Sequence, residues 1–269
     1  MQQPEVLGII AGSGAYPVLL AESARRAGVT RIVAAAFTGE TKPALEQSVD
    51  EIHWIRVGQL ARLVSCFRAA GVRHCMMAGQ IAPKNLFDLR PDWKALLLLA
   101  RLKRRNAETI FGAIADELAS AGAELLPATT YLEEYLAQPG VIAGRSLSRR
   151  EEADVPFGFG IAKEMSRLDV GQTVVVKNGT VLAVEAFEGT NEAIKRGGAL
   201  AGHGAVVVKV SKPKQDLRFD VPVIGPETAA VAAAAGVRVI AVEAGRTLLL
   251  ERDDLLALAA ASNLTILGV

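Results

Sequence analysis

The sequence predicts an α/β protein built from two domains, and three observations support this. In the first half, short apolar runs alternate with amphipathic segments that end at glycine, as in a βαβ parallel sheet. Aromatic residues make up only 5% of the 269 residues although hydrophobic residues make up 51%, so Ala, Val, Leu and Ile must build the core, as they do in buried parallel strands. In the second half, two β-rich runs joined by Asn178-Gly179 predict a hairpin with a type I′ turn.

The first domain is predicted to span residues 1–138. It opens with a strand over 6–11, a helix over 18–27 that Gly28 ends, and a strand over 31–37. Such a βαβ unit requires parallel pairing. The same alternation predicts further strands over 52–57, 75–78 and 124–127, and helices over 60–70, 93–105 and 109–121.

The second domain is predicted to span residues 139–269, because the turn sequence Gln138-Pro139-Gly140 interrupts the alternation. A mostly helical segment over 153–168 precedes the hairpin, whose strands cover 173–177 and 180–186. The remaining pattern predicts helices over 190–200, 227–235 and 253–262, and strands over 205–210, 237–242, 246–250 and 264–267.

Composition excludes several classes of protein. The formal net charge is +1 and no RNA-reading aromatic motif occurs, so a nucleic-acid partner is not expected. Cys66 and Cys75 fit no zinc spacing and predict buried thiols in a reducing compartment. No basic residue precedes the first apolar stretch, which therefore predicts an opening strand rather than a signal peptide and favours a cytoplasmic location.

An apolar run over 95–100 is too short to span a bilayer. It is followed at once by the basic residues Arg101, Lys103, Arg104 and Arg105. Two interpretations stay open. The segment can make peripheral contact with an anionic surface such as the inner membrane, or it can be a buried helix with a solvated basic end, which is the commoner case.

Two glycine-containing turns follow predicted parallel strands. Gly12-Ser13-Gly14 stands where the first strand meets the first helix, a position at which backbone N–H groups can bind phosphate. Gly79-Gln80 follows a later strand and is expected in the same cleft. The third glycine of the dinucleotide fingerprint is replaced by Pro17, and the second strand lacks the ribose-binding acid. These turns therefore favour general substrate contact or a plain tight turn over NAD binding.

A second polar cluster ends the predicted hairpin. Glu185, Glu188, Gly189 and Thr190 lie where the hairpin gives way to a helix. Two carboxylates, a glycine and a hydroxyl at a helix start can bind substrate if the strand ends between the two carboxylates, although Thr190 alone can also be an ordinary helix cap.

The charged segment 212–220 is the most informative stretch of the chain. Lys212 and Arg218 can neutralise phosphate oxygens, and Gln215 adds a polar side chain. Asp216 and Asp220 can hold the Mg²⁺ or Mn²⁺ that a diphosphate needs for charge neutralisation. Charge runs in loops are usually solvated, but this one is short, mixed in sign and bounded by apolar segments.

Five segments together resemble the LpxI family, the UDP-2,3-diacylglucosamine pyrophosphatases of lipid A biosynthesis. They are residues 8–14 with Pro17, 77–79, 183–190, 212–225 and 243–245. The similarity spans nearly the whole chain, and the C-terminal motifs are the specific ones. The resemblance implies an N-terminal Rossmann-like domain, a distinct C-terminal α/β domain and a lipid substrate held between them.

The resemblance also implies metal-dependent hydrolysis of the diphosphate to UMP and 2,3-diacylglucosamine 1-phosphate, with water attacking the sugar-side phosphorus. Asp220 matches the acid expected to be essential. Asp216 or Glu188 is expected to assist it, while Lys212 and Arg218 stabilise charge on the diphosphate.

One departure from the family leaves an alternative open. Members often carry Gly-Asp-Asp before the helix that begins near Thr109, and this chain has Asn106-Ala107-Glu108 instead. The chain can therefore also be a divergent relative that binds a nucleotide-linked lipid or sugar without hydrolysing it. Formation of a homodimer stays open as well.

Overall fold

A computed structural model describes residues 5–81, 91–103, 107–213 and 215–269, without the side chains of residues 107 and 108. The chain divides into two compact units. The first contains residues 1–132 together with 216–220, and the second contains residues 133–215 and 221–269. The short segment 216–220 thus belongs to the first unit although it lies far into the second half of the sequence.

The first unit is built on a five-stranded sheet in the order β3-β2-β1-β4-β5, and all its neighbouring strands are parallel. This order matches that of a Rossmann-type sheet and confirms the predicted parallel α/β fold. The strands are β1 (Val6–Ala11), β2 (Arg31–Phe37), β3 (Glu51–Ile55), β4 (His74–Ala78) and β5 (Glu124–Leu125). The helices are α1 (Tyr16–Arg26), α2 (Leu60–Ala69), α3 (Trp93–Arg101) and α4 (Ala107–Ser120).

Local sequence explains where α1 begins and ends. Pro17 occupies its first turn, where a missing N–H costs nothing. Gly28 follows the helix with φ +98°, the left-handed backbone that favours glycine after a helix. The sheet of the first unit packs through small and branched residues, and the largest fully buried side chain is Phe67 on α2.

The second unit contains a mixed six-stranded sheet in the order β6-β13-β11-β9-β7-β8 and a two-stranded sheet of β10 and β12. Its three central strands β13, β11 and β9 are parallel, and the outer pairs are antiparallel. The strands are β6 (Gly140–Ala143), β7 (Thr173–Lys177), β8 (Thr180–Val184), β9 (Ala205–Lys209), β10 (Val223–Ile224), β11 (Val237–Val242), β12 (Leu248–Leu249) and β13 (Thr265–Gly268). The helices are α5 (Arg149–Arg167), α6 (Thr190–Ala201), α7 (Pro226–Ala234) and α8 (Arg252–Ala261).

The predicted hairpin is present as β7 and β8. Asn178 and Gly179 both have positive φ, +51° and +70°, as a type I′ turn requires. The buried carboxylate of Asp154 accepts hydrogen bonds from both turn N–H groups, at 2.8 and 2.7 Å. The hairpin is therefore held both by its own turn chemistry and by a residue of α5.

The structure differs from the sequence prediction at several elements. Helix α5 begins at Arg149 rather than near residue 153, because Ser148 and Glu151 form a capping box. The prediction also missed β6 and β10, which are only four and two residues long. Helix α3 ends at Arg101 rather than Arg105. In the part of the chain that the structure describes, no helix is both long and apolar enough to cross a bilayer.

Candidate active site

The turns after β1 and β4 meet at the carboxyl ends of neighbouring parallel strands. The Ser13 N–H donates to the carbonyl of Gln80 at 2.7 Å, and the Ser13 hydroxyl donates to the same oxygen at 2.9 Å. A Cβ on Gly12 would lie 2.5 Å from the Gln80 carbonyl oxygen, and one on Gly79 would lie 2.4 Å from that of Ser13. Both glycines are thus required by the close approach of two backbones. The turns lie at the switch point of strand order, where open α/β sheets bind ligands.

Gly14 differs from these two glycines. Its φ is +90°, and a Cβ there would contact nothing within 4 Å. The open space lies next to the start of α1, whose N-cap residue Ala15 makes no side-chain hydrogen bond to the first turn. The backbone N–H groups of that turn can therefore meet an anion. Below the turn, the buried Tyr16 hydroxyl donates to the carbonyl of Ala128, and burial raises the pKa of Tyr16.

A polar cluster surrounds the first residue of α6. The Thr190 hydroxyl donates to Glu185 Oε1 at 2.9 Å, and Lys209 Nζ donates to Thr190 Oγ1 at 2.8 Å. Gly189 precedes the helix with φ +84°. Lys209 is the last residue of β9, so the cluster places a cation at the end of a central strand. Glu185, Gly189 and Thr190 were predicted from the sequence as parts of one polar cluster. Lys209 was not predicted, although a lysine that ends a buried parallel strand is a usable signal.

Glu188 contacts residues outside this cluster. Its carboxylate accepts hydrogen bonds from Arg196 Nη2 at 2.5 Å and from the Ala186 N–H at 3.2 Å. A hydrogen bond from its own backbone N–H and the one from Arg196 lower its pKa. Glu188 thus contacts its own turn and Arg196, and the side chain that contacts Thr190 is Glu185.

The charged segment is divided between the two units. Residues 212–215 belong to the second unit and 216–220 to the first, whereas the whole segment was predicted to lie in the second domain. The Lys212 N–H donates to Gln215 Oε1 at 2.7 Å, and Lys212 Nζ forms an ion pair with Asp169. The buried Gln215 Nε2 has no hydrogen-bond partner among the described residues.

Asp216 and Arg218 form a tight pair within one turn. Arg218 Nε and Nη2 donate to the Asp216 carboxylate at 3.0 and 2.6 Å, and the Arg218 backbone N–H donates to it at 3.0 Å. The guanidinium lowers the pKa of Asp216, and the carboxylate raises the pKa of Arg218. Both groups are therefore charged at neutral pH, and Asp216 holds the orientation of Arg218.

Asp220 lies in the same turn. Its backbone N–H donates to the Asp216 carbonyl at 3.1 Å, and its side chain is partly buried. Two further contacts fix the turn on the first unit. The Ala128 N–H donates to the Leu217 carbonyl at 2.7 Å, and the rings of Phe219 and Phe111 have centroids 5.6 Å apart.

A carboxylate outside the predicted site residues fixes the start of the charged segment. Glu243 follows β11, and Ser211 follows the neighbouring parallel strand β9. Glu243 Oε2 accepts hydrogen bonds from Lys163 Nζ at 2.6 Å, the Ser211 N–H at 2.7 Å and the Ser211 hydroxyl at 2.7 Å. In the sequence Glu243 is recognisable only as part of a matching motif, because its partners lie far away along the chain.

The donor set for a metal ion is small. Among the residues that the structure describes, no three His, Cys, Asp or Glu side chains lie together as a metal site. Mg²⁺ in phosphate-processing sites is commonly bound by one or two carboxylates, with substrate oxygens and water completing the shell. Asp220 and Asp216 are the carboxylates of the charged segment that could supply such ligands, and both Asp216 oxygens also accept hydrogen bonds from Arg218.

Several residues singled out in the sequence lie outside the described residues. In the Asn106–Glu108 segment, residue 106 and the side chains of residues 107 and 108 are not described. Arg104 and Arg105 of the basic cluster and Lys214 of the charged segment are not described either.

Comparison with known proteins gives a relationship over both halves of the chain. Residues 6–135 match the LpxI N-terminal domain, and residues 138–267 match the LpxI C-terminal domain. The chain is 32% identical over 274 aligned residues to the UDP-2,3-diacylglucosamine pyrophosphatase LpxI of Caulobacter vibrioides (strain ATCC 19089 / CIP 103742 / CB 15), covering 98% of this chain and 97% of the relative.

Among solved structures, the biotin carboxylase domain of the Hydrogenobacter thermophilus 2-oxoglutarate carboxylase aligns with a TM-score of 0.29 and 12% identity. The alignment covers 67% of this chain and 36% of that one. Chains at that score need not share a fold, so the family assignment depends on the sequence matches. Because both domain families match in order and the relative aligns from end to end, the chain belongs to the LpxI family.

Proposed function

We propose that this chain hydrolyses the diphosphate of UDP-2,3-diacylglucosamine to UMP and 2,3-diacylglucosamine 1-phosphate. The observation that carries the proposal is the relationship over 98% of the chain to a protein named for this pyrophosphatase activity. The charged segment supports it, because a diphosphate carries negative charge that Arg218 and Lys212 can neutralise.

In the proposed reaction, water attacks the sugar-side phosphorus and the bond from that phosphorus to the bridging oxygen breaks. The water oxygen stays on the lipid phosphate, and UMP leaves with the bridging oxygen. Asp220 orients the water and accepts its proton. Arg218 stabilises the charge that develops on the diphosphate, and its fixed pairing with Asp216 means that little reorganisation is needed.

Other residues are proposed to hold the substrate. Backbone N–H groups near Gly14 and at the start of α6 position phosphate or sugar oxygens. Lys212 adds positive charge, and Gln215 Nε2, which has no hydrogen-bond partner among the described residues, offers a donor. Bound through Asp220 and Asp216, Mg²⁺ or Mn²⁺ would supply charge neutralisation of the diphosphate oxygens.

The test is release of UMP from UDP-2,3-diacylglucosamine by the purified full chain, with Mg²⁺, with Mn²⁺ and with chelator. Asp220→Asn removes the proton acceptor but keeps the shape of the side chain. We expect it to lower kcat about 100-fold or more. Asp253→Asn on the exposed start of α8 is the matched control and should keep full turnover.

Full turnover of Asp220→Asn would remove Asp220 from the mechanism, and turnover in chelator would remove the metal. Tight association of the substrate without any UMP release, in folded protein with either metal, would favour the alternative of a relative that binds a nucleotide-linked lipid or sugar.

The location of the reaction is a further part of the proposal. A diacylated substrate resides in a membrane, so we propose a cytoplasmic enzyme in peripheral contact with the inner membrane.

Homodimer formation also remains a prediction, and light scattering of the purified chain would test it.

A further inference from the structure

Helix α3 is held firmly on the first unit. The Asp92 carboxylate caps it by accepting from the Ala95 N–H at 2.9 Å, and its other oxygen accepts from the Ala61 N–H of α2 at 2.7 Å. Ala95 and Leu98 pack against the core of the unit. Lys94 forms an ion pair with Glu117 of α4. These contacts identify the face of α3 that packs on the first unit. The helix cannot rotate about its axis without losing them.

The other face of α3 is apolar and exposed. Trp93, Leu96 and Leu97 are 65%, 54% and 50% exposed, and Ala100 is exposed on the same side. These residues follow the i, i+3, i+4, i+7 spacing of one helix face. A helix that is apolar on all sides is normally buried, and three large neighbouring side chains form a patch of the kind that marks an interaction surface.

The charges at the end of α3 indicate what covers this face. Arg101 and Lys103 are exposed directly after the apolar stripe. After its cap Asp92, the helix carries no acidic residue. A stripe with a tryptophan at one end and cations at the other matches the chemistry of an anionic bilayer, in which indole rings and basic side chains lie at the headgroup level.

We propose that the stripe formed by Trp93, Leu96, Leu97 and Ala100 docks on an anionic lipid bilayer, with Arg101 and Lys103 contacting lipid phosphates. The proposal rests on the proposed function to the extent that a diacylated substrate is reached from a membrane surface. Helix α3 has nine residues and is about 13 Å long, so it lies on the bilayer and does not enter its full depth. Its capped attachment makes the contact preorganised, since the helix is already formed and held on the first unit.

Co-sedimentation of the full chain with vesicles, without substrate, tests the docking directly. We expect binding to phosphatidylglycerol-containing vesicles and much weaker binding to pure phosphatidylcholine vesicles. Leu96→Ser with Leu97→Ser should lower the partition constant about tenfold or more, because apolar burial scales with the side-chain area removed. Arg101→Gln with Lys103→Gln should lower it about tenfold on anionic vesicles only.

Matched controls distinguish binding through this surface from nonspecific adsorption to vesicles. Leu168, the C-cap residue of α5, and Leu200 on α6 are 56% and 67% exposed, so Leu168→Ser with Leu200→Ser should bind as the wild-type protein does. Arg149→Gln with Arg150→Gln removes two exposed cations of the second unit and should have little effect. Equal loss in the control and α3 variants would overturn the proposal, and so would unchanged binding of the α3 variants.

Trp93 provides a direct readout of depth. The chain has two tryptophans, so Trp54→Phe leaves Trp93 as the only indole. Its emission should shift to shorter wavelength on phosphatidylglycerol vesicles and be quenched by brominated acyl chains. An unshifted, unquenched Trp93 in vesicle-bound protein would show that another surface docks.

Two further outcomes would assign the stripe to another occupant. Loss of a wild-type dimer in Leu96→Ser with Leu97→Ser, without vesicle binding by either protein, would assign it to a second copy of the chain. Equal loss of turnover in detergent micelles and on vesicles would assign it to the substrate acyl chains. Loss of turnover by the α3 variant on vesicles but not in micelles supports docking. If the wild-type protein binds vesicles but releases no UMP, docking is supported and the proposed hydrolysis is contradicted.

Discussion

Glu243 links the end of β11 to the residue from which the charged segment starts. Its carboxylate receives three hydrogen bonds from Lys163 and Ser211, and its side chain is only 14% exposed. Burial acts to raise the pKa of Glu243, but the hydrogen bonds from Lys163 and Ser211 outweigh it and hold the pKa below its usual value of 4.5. The carboxylate is thus charged in the native protein and is the acceptor for the Ser211 N–H and hydroxyl, while Lys163 Nζ also donates to the Ser211 carbonyl at 2.9 Å.

We expect Glu243→Gln to lower the free energy of unfolding by about 2 kcal/mol at neutral pH, because charge-assisted hydrogen bonds to buried groups are lost. A depressed pKa means that this stabilisation is complete above pH 4.5 and is lost as the pH falls through the native pKa. Urea unfolding at pH 7 and pH 3.5 should therefore show a difference from wild type that shrinks in acid. Glu164→Gln, at an exposed surface pair, is the control, and an equal effect there would contradict the role of Glu243.

Arg218 is expected to resist conservative replacement. Its guanidinium makes a two-nitrogen contact with Asp216 that an ammonium group cannot copy. Arg218→Lys should lower kcat by about tenfold or more in the UMP-release assay while KM changes less, because the proposed stabilisation acts in the transition state. Lys195→Arg on α6 exchanges the same residue types at an exposed pair and should be silent. A change confined to KM would assign Arg218 to ground-state binding.

At the scale of elements, the β7–β8 hairpin combines two independent signals. The turn dipeptide Asn178-Gly179 was visible in the sequence, whereas the acceptor for its N–H groups, Asp154, comes from α5 and was not. The position of a helix residue thus determines how well a local turn is satisfied. The hairpin carries the strand that leads to the Glu185–Thr190 cluster, so its stability bears on the candidate site.

Asp154→Ala should destabilise the protein by about 2 kcal/mol, because two turn N–H groups lose their buried acceptor. Asp154→Asn keeps one oxygen and should cost less. Gly179→Ala should cost about 1 kcal/mol, since φ is +70° there. Urea unfolding midpoints at pH 7 measure all three, and an Asp154→Ala protein as stable as wild type would show that water replaces the carboxylate.

At the scale of the whole molecule, the chain passes between the two units three times, after residues 132, 215 and 220. The first unit therefore includes residues 216–220, which lie far from residues 1–132 along the chain. A fragment of residues 1–132 lacks the Leu217 carbonyl that accepts from Ala128 and the Phe219 ring beside Phe111.

We expect this fragment to melt several degrees higher when a peptide of residues 211–224 is added in excess, because a ligand that binds only the folded form stabilises it. A peptide carrying Phe219→Ala should stabilise the fragment less. Calorimetry with both peptides measures the difference, and identical melting with and without peptide would show that the first unit does not require the segment.

The sequence predicted the first unit well because each of its signals is local. Continuous apolar strands and glycines after helices gave β1, α1 and β2 within two residues at each end. The short strands β6 and β10 have no periodicity to detect. At the site, residue types and turns could be selected, but pairings such as Lys209 with Thr190 join residues distant in sequence, and only packing brings them together.

The close approach of the turns after β1 and β4 has a consequence for mutational scans. At Gly12 and Gly79, every other side chain would collide with the opposite backbone. Saturation mutagenesis should therefore score both positions as intolerant as Asp220, because a side chain at either position would meet the opposite backbone. Intolerance alone would not distinguish a residue required for steric reasons from a residue required for catalysis. Growth selections on this chain need a paired measurement of folded protein before any intolerant position is assigned to catalysis.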